Sequence, residues 1–575
     1  MLQIATGKLF TRETERENHL RGVLFTNLHL GGWPAHVLEA PLFGRILQAS
    51  DLAASPKTLI YEFTERIETP KSGPLIILSH CVDPYLQDMA TIVSFALNCT
   101  CSPDIDLVRR LTSGQRGIAT GEAPRKFFRR VFDKEVHPQP GELEMFVTFV
   151  NHLLGLHRKT YLGVMRAIRT YVTGLHRVFD DLELAYTLLV AAGESLTQDF
   201  DGHTSDWESV SEHKRLAIDK ALDGASSDIA EKVRDAVLSF EHTALSRRFQ
   251  AFVGSNVASD YFKGPFEKDS HPVGRSELPE VLAAAYKVRS QYVHQLLQLP
   301  DMVTLGNGYV ETVLDGRCKM LTLQGLSRLM RHVIMNFILR QPTIDSEPYE
   351  YMLELPGVMR VPLAPSYWIS RVDGDISEAG RNKLEGFLEE LAGVLMNLPG
   401  ATLTDISEVL EKFVAQAQNM KLNPRRPYLA MLVMFNAIIG AKQIPRSSQL
   451  EALIQKDLDD ACSEALVAHA FFEEAPKWSL EEHYRALQNY RRRRGNKSGI
   501  RFPRLFEAAI ALEVAERYRD VGSFARCREV VVEAADDYPE HTGLRILAES
   551  ISKDEPLRWR EVLLPRPELN DQGAS

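Results

Sequence analysis

The chain is poor in cysteine: six thiols in 575 residues (Cys81, Cys99, Cys101, Cys318, Cys462 and Cys527) lie scattered, and no two form a CxxC pair. That spacing offers neither a disulfide framework nor a zinc site, and the thiols read as reduced. No apolar run approaches the length of a membrane span. The opening segment MLQIATGKLFTRETEREN carries charges where a secretory leader needs an uninterrupted apolar core, so a soluble, cytoplasmic protein is expected, with no membrane partner. Positive charge is also in deficit. A formal net charge of -10 argues against a protein that coats nucleic acid over its whole surface, because such binding neutralises phosphates. There is no Walker phosphate loop, no dinucleotide fingerprint after a strand, no HExxH and no Gly-x-Ser-x-Gly elbow, which disfavours those enzyme classes. No cofactor is expected.

What is present is an ordinary globular balance, 44% hydrophobic and 25% charged, over a length that calls for about three domains. The expected fold class is mainly α. Residues 1–145 read as a small α/β or β-rich domain, with β-like runs at Leu75-Ile76-Ile77-Leu78 and, at its far edge, Phe146-Val147-Thr148-Phe149. Residues 150–342 read as a helical bundle: Leu182, Tyr186, Leu189 and Val190 recur at helical spacing, as do Leu323, Leu326, Met330, Val333 and Phe337. Two stretches, 199–235 and 251–276, look like long connections within it. Residues 343–380, with Pro348, Pro356, Pro362 and Pro365 around short apolar runs at 351–355 and 358–363, predict a linker or a small strand-bearing subdomain. Helix returns over 381–560, and 561–575 reads as a disordered tail. Segment 515–541 resembles one tetratricopeptide unit: Gly522 and Phe524 sit at a turn, Ala525, Cys527 and Ala534 allow close packing, and Pro539 ends the second helix. Such a region could hold a protein partner.

One constellation could carry chemistry. Arg289 and His294 lie on a predicted helix over 276–297, and their types suit metal-independent RNA cleavage. A neutral imidazole can take the proton of a ribose 2′-hydroxyl, while a guanidinium holds the scissile phosphate. Five residues apart on an ideal helix, however, they diverge by about 140°. The apolar stripe is expected at Ala285, Val288, Tyr292 and Leu296 with Arg289 on its shoulder, and His294 lies opposite, near Lys287, Ser290, Gln291 and Gln298. Convergence would need helix distortion or a partner chain. An amphipathic helix with Arg289 bridged to Glu194 and His294 exposed reads the same way, and the polar face could equally be a dimer surface.

The context resembles the HEPN family. Tyr286, Arg289, Ser290, Val293 and His294 match its Leu-Tyr-x-x-Arg-Ser-x-x-Val-His helix; LAYTLLVAAGESL (184–196) is similar to the family helix that ends in a Glu, here Glu194; and GLSRLMRHVIMNFIL (325–339) resembles the closing helix. The sequence departs from the pattern at Gln295, where Gly often follows the His, and at Gly193, where Leu is usual. The likeness spans 150–342 and is closest to large bacterial HEPN proteins with an unrelated N-terminal domain. It implies a homodimer whose Arg and His residues line one cleft that cuts single-stranded RNA without a metal, in proteins often linked to phage defence or toxin systems. The implied roles are His294 as general acid/base, Arg289 as phosphate ligand, Glu194 to orient it, and Ser290 and Gln291 as supporting polar groups. The rival expectation is a non-catalytic HEPN-like dimerisation scaffold with a helical-repeat partner-binding region.

Two basic clusters stand out against the acidic whole. One comprises Arg109, Arg110, Arg116, Arg125, Lys126, Arg129 and Arg130. The other, Arg485, Arg491, Arg492, Arg493, Arg494, Lys497, Arg501 and Arg504, has no intervening acid and has Tyr490 and Phe502 as stacking candidates, so it is the sharper RNA-binding candidate; the alternative is a solvated helix end and loop. His203 beside Asp199 and Asp201 is a weak metal arrangement whose spacing fits no helical ligand pair, and no metal is expected.

Overall fold

A computed structural model describes residues 1–31, 37–49, 55–69, 81–118, 121–200, 202, 207, 210, 212–240, 245–263, 270–304, 308–356, 358–359, 361–372, 376–440, 443–497, 499–553 and 555–565. The chain is mainly helical with a small N-terminal antiparallel sheet, and it divides into two compact units, Met1–Met359 and Arg360–Ser575.

The first unit opens with the short helix α1 (Leu2–Ala5) and a five-stranded sheet of β1 (Thr14–Thr26), β2 (Val37–Ala40), β3 (Gly44–Gln48), β4 (Lys57–Glu68) and β5 (Cys101–Ser102), in the order β2-β3-β4-β1-β5. All its pairings are antiparallel. Along β4 alternate residues Leu59, Tyr61 and Phe63 are buried, the period of two that one covered face imposes. Then come α2 (Asp83–Ala96), α3 (Ile105–Thr112), α4 (Glu142–Gly155), α5 (Arg158–Arg177) and α6 (Leu182–Phe200). They are followed by α7 (Glu212–Ala221), α8 (Ser227–Phe240), α9 (Leu245–Ser255), α10 (Leu278–Gln295), α11 (Asp301–Thr304), a hairpin of β6 (Thr312–Asp315) and β7 (Cys318–Leu321), and α12 (Leu323–Arg340).

Several expectations change here. The run at Phe146 to Phe149 is helix α4, because Phe146, Phe149, Val150, Leu153 and Leu154 repeat with a period near 3.6 once the window is widened beyond four residues. The run at Leu75 to Leu78 lies outside the described residues. The connection over 199–235 contains helices α7 and α8, and α9 opens the next one. Residues 1–145 and 150–342 share one hydrophobic core, from Leu2 to Ile338. Phe95 of α2 lies 6.0 Å from Phe149 and 5.4 Å from Tyr171 (centroid to centroid), and Arg331 of α12 donates to the carbonyl of Phe95 at 2.7 Å.

Among the described residues of 343–380 there is no strand; single 3₁₀ turns lie at Met352–Glu354 and Pro365–Tyr367, and helix begins at Ile376. Prolines remove the donors a ladder needs. The division between the units falls in this stretch.

The second unit holds α13 (Ile376–Leu395), α14 (Ser407–Gln416), α15 (Leu422–Ile439), α16 (Ser448–Leu458), α17 (Ser463–Phe472), α18 (Leu480–Arg493), α19 (Arg504–Asp520), α20 (Phe524–Asp537), α21 (Thr542–Ser550) and α22 (Trp559–Leu563). Helices α19 and α20 meet at Gly522, whose φ of +75° suits a glycine, and Cys527 and Ala534 are fully buried between them and their neighbours. The tail is shorter than expected: Trp559 is buried and donates to the Ala470 carbonyl at 2.7 Å, which fixes α22 through Leu563. Residues 566–575 lie outside the described ones.

Candidate active site

Helix α6 starts where the Asp181 carboxylate accepts the backbone N–H of Leu184 at 2.8 Å, an N-terminal cap. Its close packing explains Gly193. A Cβ there would stand 2.8 Å from Met330 Sδ and 3.1 Å from Phe249 Cε2, so the Leu usual in the resembled helix has no room. The next residue, Glu194, is thereby pressed into the interior with its side chain 7% exposed.

Helix α10 buries its first half through Leu278, Val281, Leu282, Ala284 and Ala285 and then emerges from the core. Leu296, expected on the apolar stripe, is 75% exposed, because the helix stops at Gln295 and Leu296 turns left-handed at φ +53°, which breaks the helical period. Val293 and Leu297 are exposed as well.

Where α10 leaves the core, Arg289 meets Glu194 at 2.5 Å. The Tyr286 hydroxyl donates to Glu194 Oε1 at 3.1 Å, and the Arg289 guanidinium lies 5.8 Å from the Tyr286 ring centroid. Burial first, and the Glu194 charge second, push the Tyr286 phenol up to about 12, so it stays a donor. Tyr286 was legible as a family match but not as a ligand of Glu194. The signal was its place three residues before Arg289, on the same helix face. Arg289 Nε is buried and has no partner.

Among the described residues His294 makes no hydrogen bond or ion pair; it is exposed in the last turn of α10. Half-buried Ser290 and Gln291 make no hydrogen bond to the ion pair. The fold thus joins Arg289, Glu194 and Tyr286 and leaves His294 apart. Comparison with known proteins finds no matching family, curated protein or solved structure.

Half of the C-terminal basic cluster is answered by carboxylates. Arg491 pairs with Glu533 at 3.4 Å and Asp537 at 3.0 Å, Arg494 with Glu507 at 2.7 Å, Arg485 with Glu481 at 3.4 Å, and Arg504 with Glu540. Tyr490 and Phe502 are buried and stack on each other at 4.8 Å, so neither presents a face to a base. Arg492, Arg493, Lys497 and Arg501 remain exposed. Asp201 and His203 lie outside the described residues, while Asp199 is taken by Arg166 at 2.9 Å. Among the described residues no helix is long and apolar enough to cross a membrane.

Proposed function

We propose that the chain is a metal-independent endoribonuclease of the HEPN type that cuts single-stranded RNA as a homodimer. The observation that carries this reading is the Arg289–Glu194 ion pair at the point where α10 emerges from the core, the orienting contact the resemblance calls for. Held from one side by Glu194, the guanidinium keeps donors for a phosphate on the other. A fixed cation there offsets the charge that builds as the phosphate becomes five-coordinate.

The α10 helix is regular through Gln295, which disfavours convergence by distortion. Arg289 and His294 are set about 7.5 Å apart along the axis and about 140° around it. A second copy is therefore the economical source of the missing group at each site. In the reaction His294 takes the proton of the 2′-hydroxyl as its oxygen attacks phosphorus. The bond from phosphorus to the 5′ oxygen then breaks, and that oxygen receives a proton from an imidazolium. The products are a 2′,3′-cyclic phosphate and a 5′-hydroxyl.

The test is incubation of wild type, His294→Ala and Arg289→Lys with labelled RNA in excess EDTA, with analysis of the new 3′ ends. Wild type should leave cyclic-phosphate ends, and His294→Ala should be slower by about a hundredfold or more. Arg289→Lys keeps a charge for Glu194 but loses the fork geometry, so it should fold and cut poorly. Equal cleavage by wild type and His294→Ala would overturn the assignment.

A second reading rests on the same contact. A buried carboxylate with its guanidinium also closes a helix bundle without chemistry, and exposed Val293, Leu296 and Leu297 beside His294 would suit a dimerisation scaffold. Dimers that survive both substitutions, with no RNA cut by any form, would favour it.

A further inference from the structure

Between Arg109 and Arg130 the chain carries seven basic residues and one acid, Glu122, within a protein of net charge -10. The core anchors this segment through buried Val108, Leu111, Phe127 and Phe128, while Arg109, Arg110, Arg116, Arg125 and Lys126 are exposed. Part of the charge is answered: Arg130 is held by Glu142 at 2.7 Å, Lys126 by Glu122 at 2.7 Å, and Arg109 by Asp106 at 3.5 Å. Among the described residues no carboxylate lies within ion-pair distance of Arg110, Arg116 or Arg125. In the C-terminal cluster Arg485, Arg491, Arg494 and Arg504 are paired, and its two aromatic rings are buried on each other.

The segment is linked to the helix that bears His294 through the turn between α5 and α6. The Arg110 guanidinium lies 5.2 Å from the Phe179 ring centroid, and the Ile118 N–H donates to the Phe179 carbonyl at 2.8 Å. Two residues on, Asp181 lies near Tyr292, which precedes His294 by two positions on α10. Further along the chain from α10, Val303 lines a shallow dent together with Lys126, Tyr309, Thr322 and Gln324. The Tyr309 hydroxyl donates to the Arg125 carbonyl at 3.0 Å there. One flank of the exposed end of α10 is therefore connected to the basic segment through Phe179 and Asp181.

We propose that the described residues of 109–118 and 121–126 form a face that binds the backbone of a single-stranded RNA, with Arg110, Arg116 and Arg125 as phosphate ligands that lead the strand to His294. The inference rests on the nuclease reading for its substrate class. Guanidiniums without a carboxylate partner, carried by residues anchored in the core, can take phosphates and release counterions from the strand.

The test is fluorescence anisotropy of a labelled oligouridine with the full chain in the His294→Ala background, so that the probe survives. Arg110→Ala/Arg116→Ala/Arg125→Ala is compared with its parent and with Arg492→Ala/Arg493→Ala/Lys497→Ala. The parent should bind, and the face triple should bind at least about tenfold more weakly at low salt. Its slope of log K against log salt should be shallower by about 2, three phosphates at about 0.7 each. The C-terminal triple should match the parent. Because Arg110 packs on Phe179, the double Arg116→Ala/Arg125→Ala serves as a second variant that spares that contact and should lose about two thirds of the slope change. A parent that fails to bind, a face triple indistinguishable from it, or binding abolished by the C-terminal triple would overturn the proposal. Binding lost in the face triple while wild type cuts nothing sinks the nuclease reading alone. Cleavage by wild type that the face triple leaves unchanged sinks this face alone.

Discussion

Glu194 is the more buried member of its ion pair, 7% exposed against 20% for Arg289 across a 2.5 Å contact. The two ends of the pair should therefore respond unequally to mutation. Arg289→Ala strands a buried carboxylate with only Tyr286 to solvate it and should cost about 3 kcal/mol. Glu194→Gln leaves a guanidinium that can still reach water and should cost less, while Arg289→Met/Glu194→Gln should recover most of the loss. Chemical denaturation of the single and double variants measures the coupling.

Thiol chemistry should sort the cysteines by burial. Cys81 and Cys318 are exposed, Cys99 and Cys101 are buried, and burial pushes the thiols of Cys99 and Cys462 up to about 12 and that of Cys527 to about 11. Iodoacetamide near pH 8 should alkylate Cys81 and Cys318 in the native chain and the other four only after denaturation, as read by peptide mass mapping.

His483, 1% exposed, is held neutral by burial and by Arg517, whose guanidinium donates to Nδ1 at 3.3 Å; these depress its pKa from 6.5 to about 3. Below pH 6.5 the unfolded chain takes up a proton that the folded chain refuses, so the stability present above that pH is lost as pH falls toward 3. Urea unfolding followed by tryptophan fluorescence should show His483→Gln losing less stability than wild type between pH 7 and about 5.

Gly325, near the start of α12, faces the Glu311 carbonyl, and an added Cβ would lie 2.1 Å from that oxygen. Backbone cannot yield as a side chain can, so Gly325→Ala should cost about 2–3 kcal/mol. Gly254 in α9 has open space around it, and Gly254→Ala should be neutral or stabilising by about 0.5–1 kcal/mol. Denaturation midpoints of the two variants compare directly.

The helices that carry the candidate site were legible in the sequence because their signals are local. Periodicity marked α6, α10 and α12, and Tyr286, Arg289 and Glu194 could be named from residue type and spacing. Four-residue windows failed at Phe146 to Phe149, where a strand-like run is one turn of a longer helical repeat, and proline-flanked apolar runs in 343–380 form no strand among their described residues. The C-terminal cluster looked the more promising for RNA because a linear reading cannot see carboxylates arriving from α19 and α20; the structure pairs Arg491 and Arg494 with them and stacks Tyr490 on Phe502. The sequence by itself determined the helical class and the residue types at the site, since these depend on neighbours within a few turns. Only the tertiary structure decided which charges are cancelled, that His294 stands apart from Arg289, and that Arg110 and Ile118 meet Phe179, because each depends on groups that packing brings together.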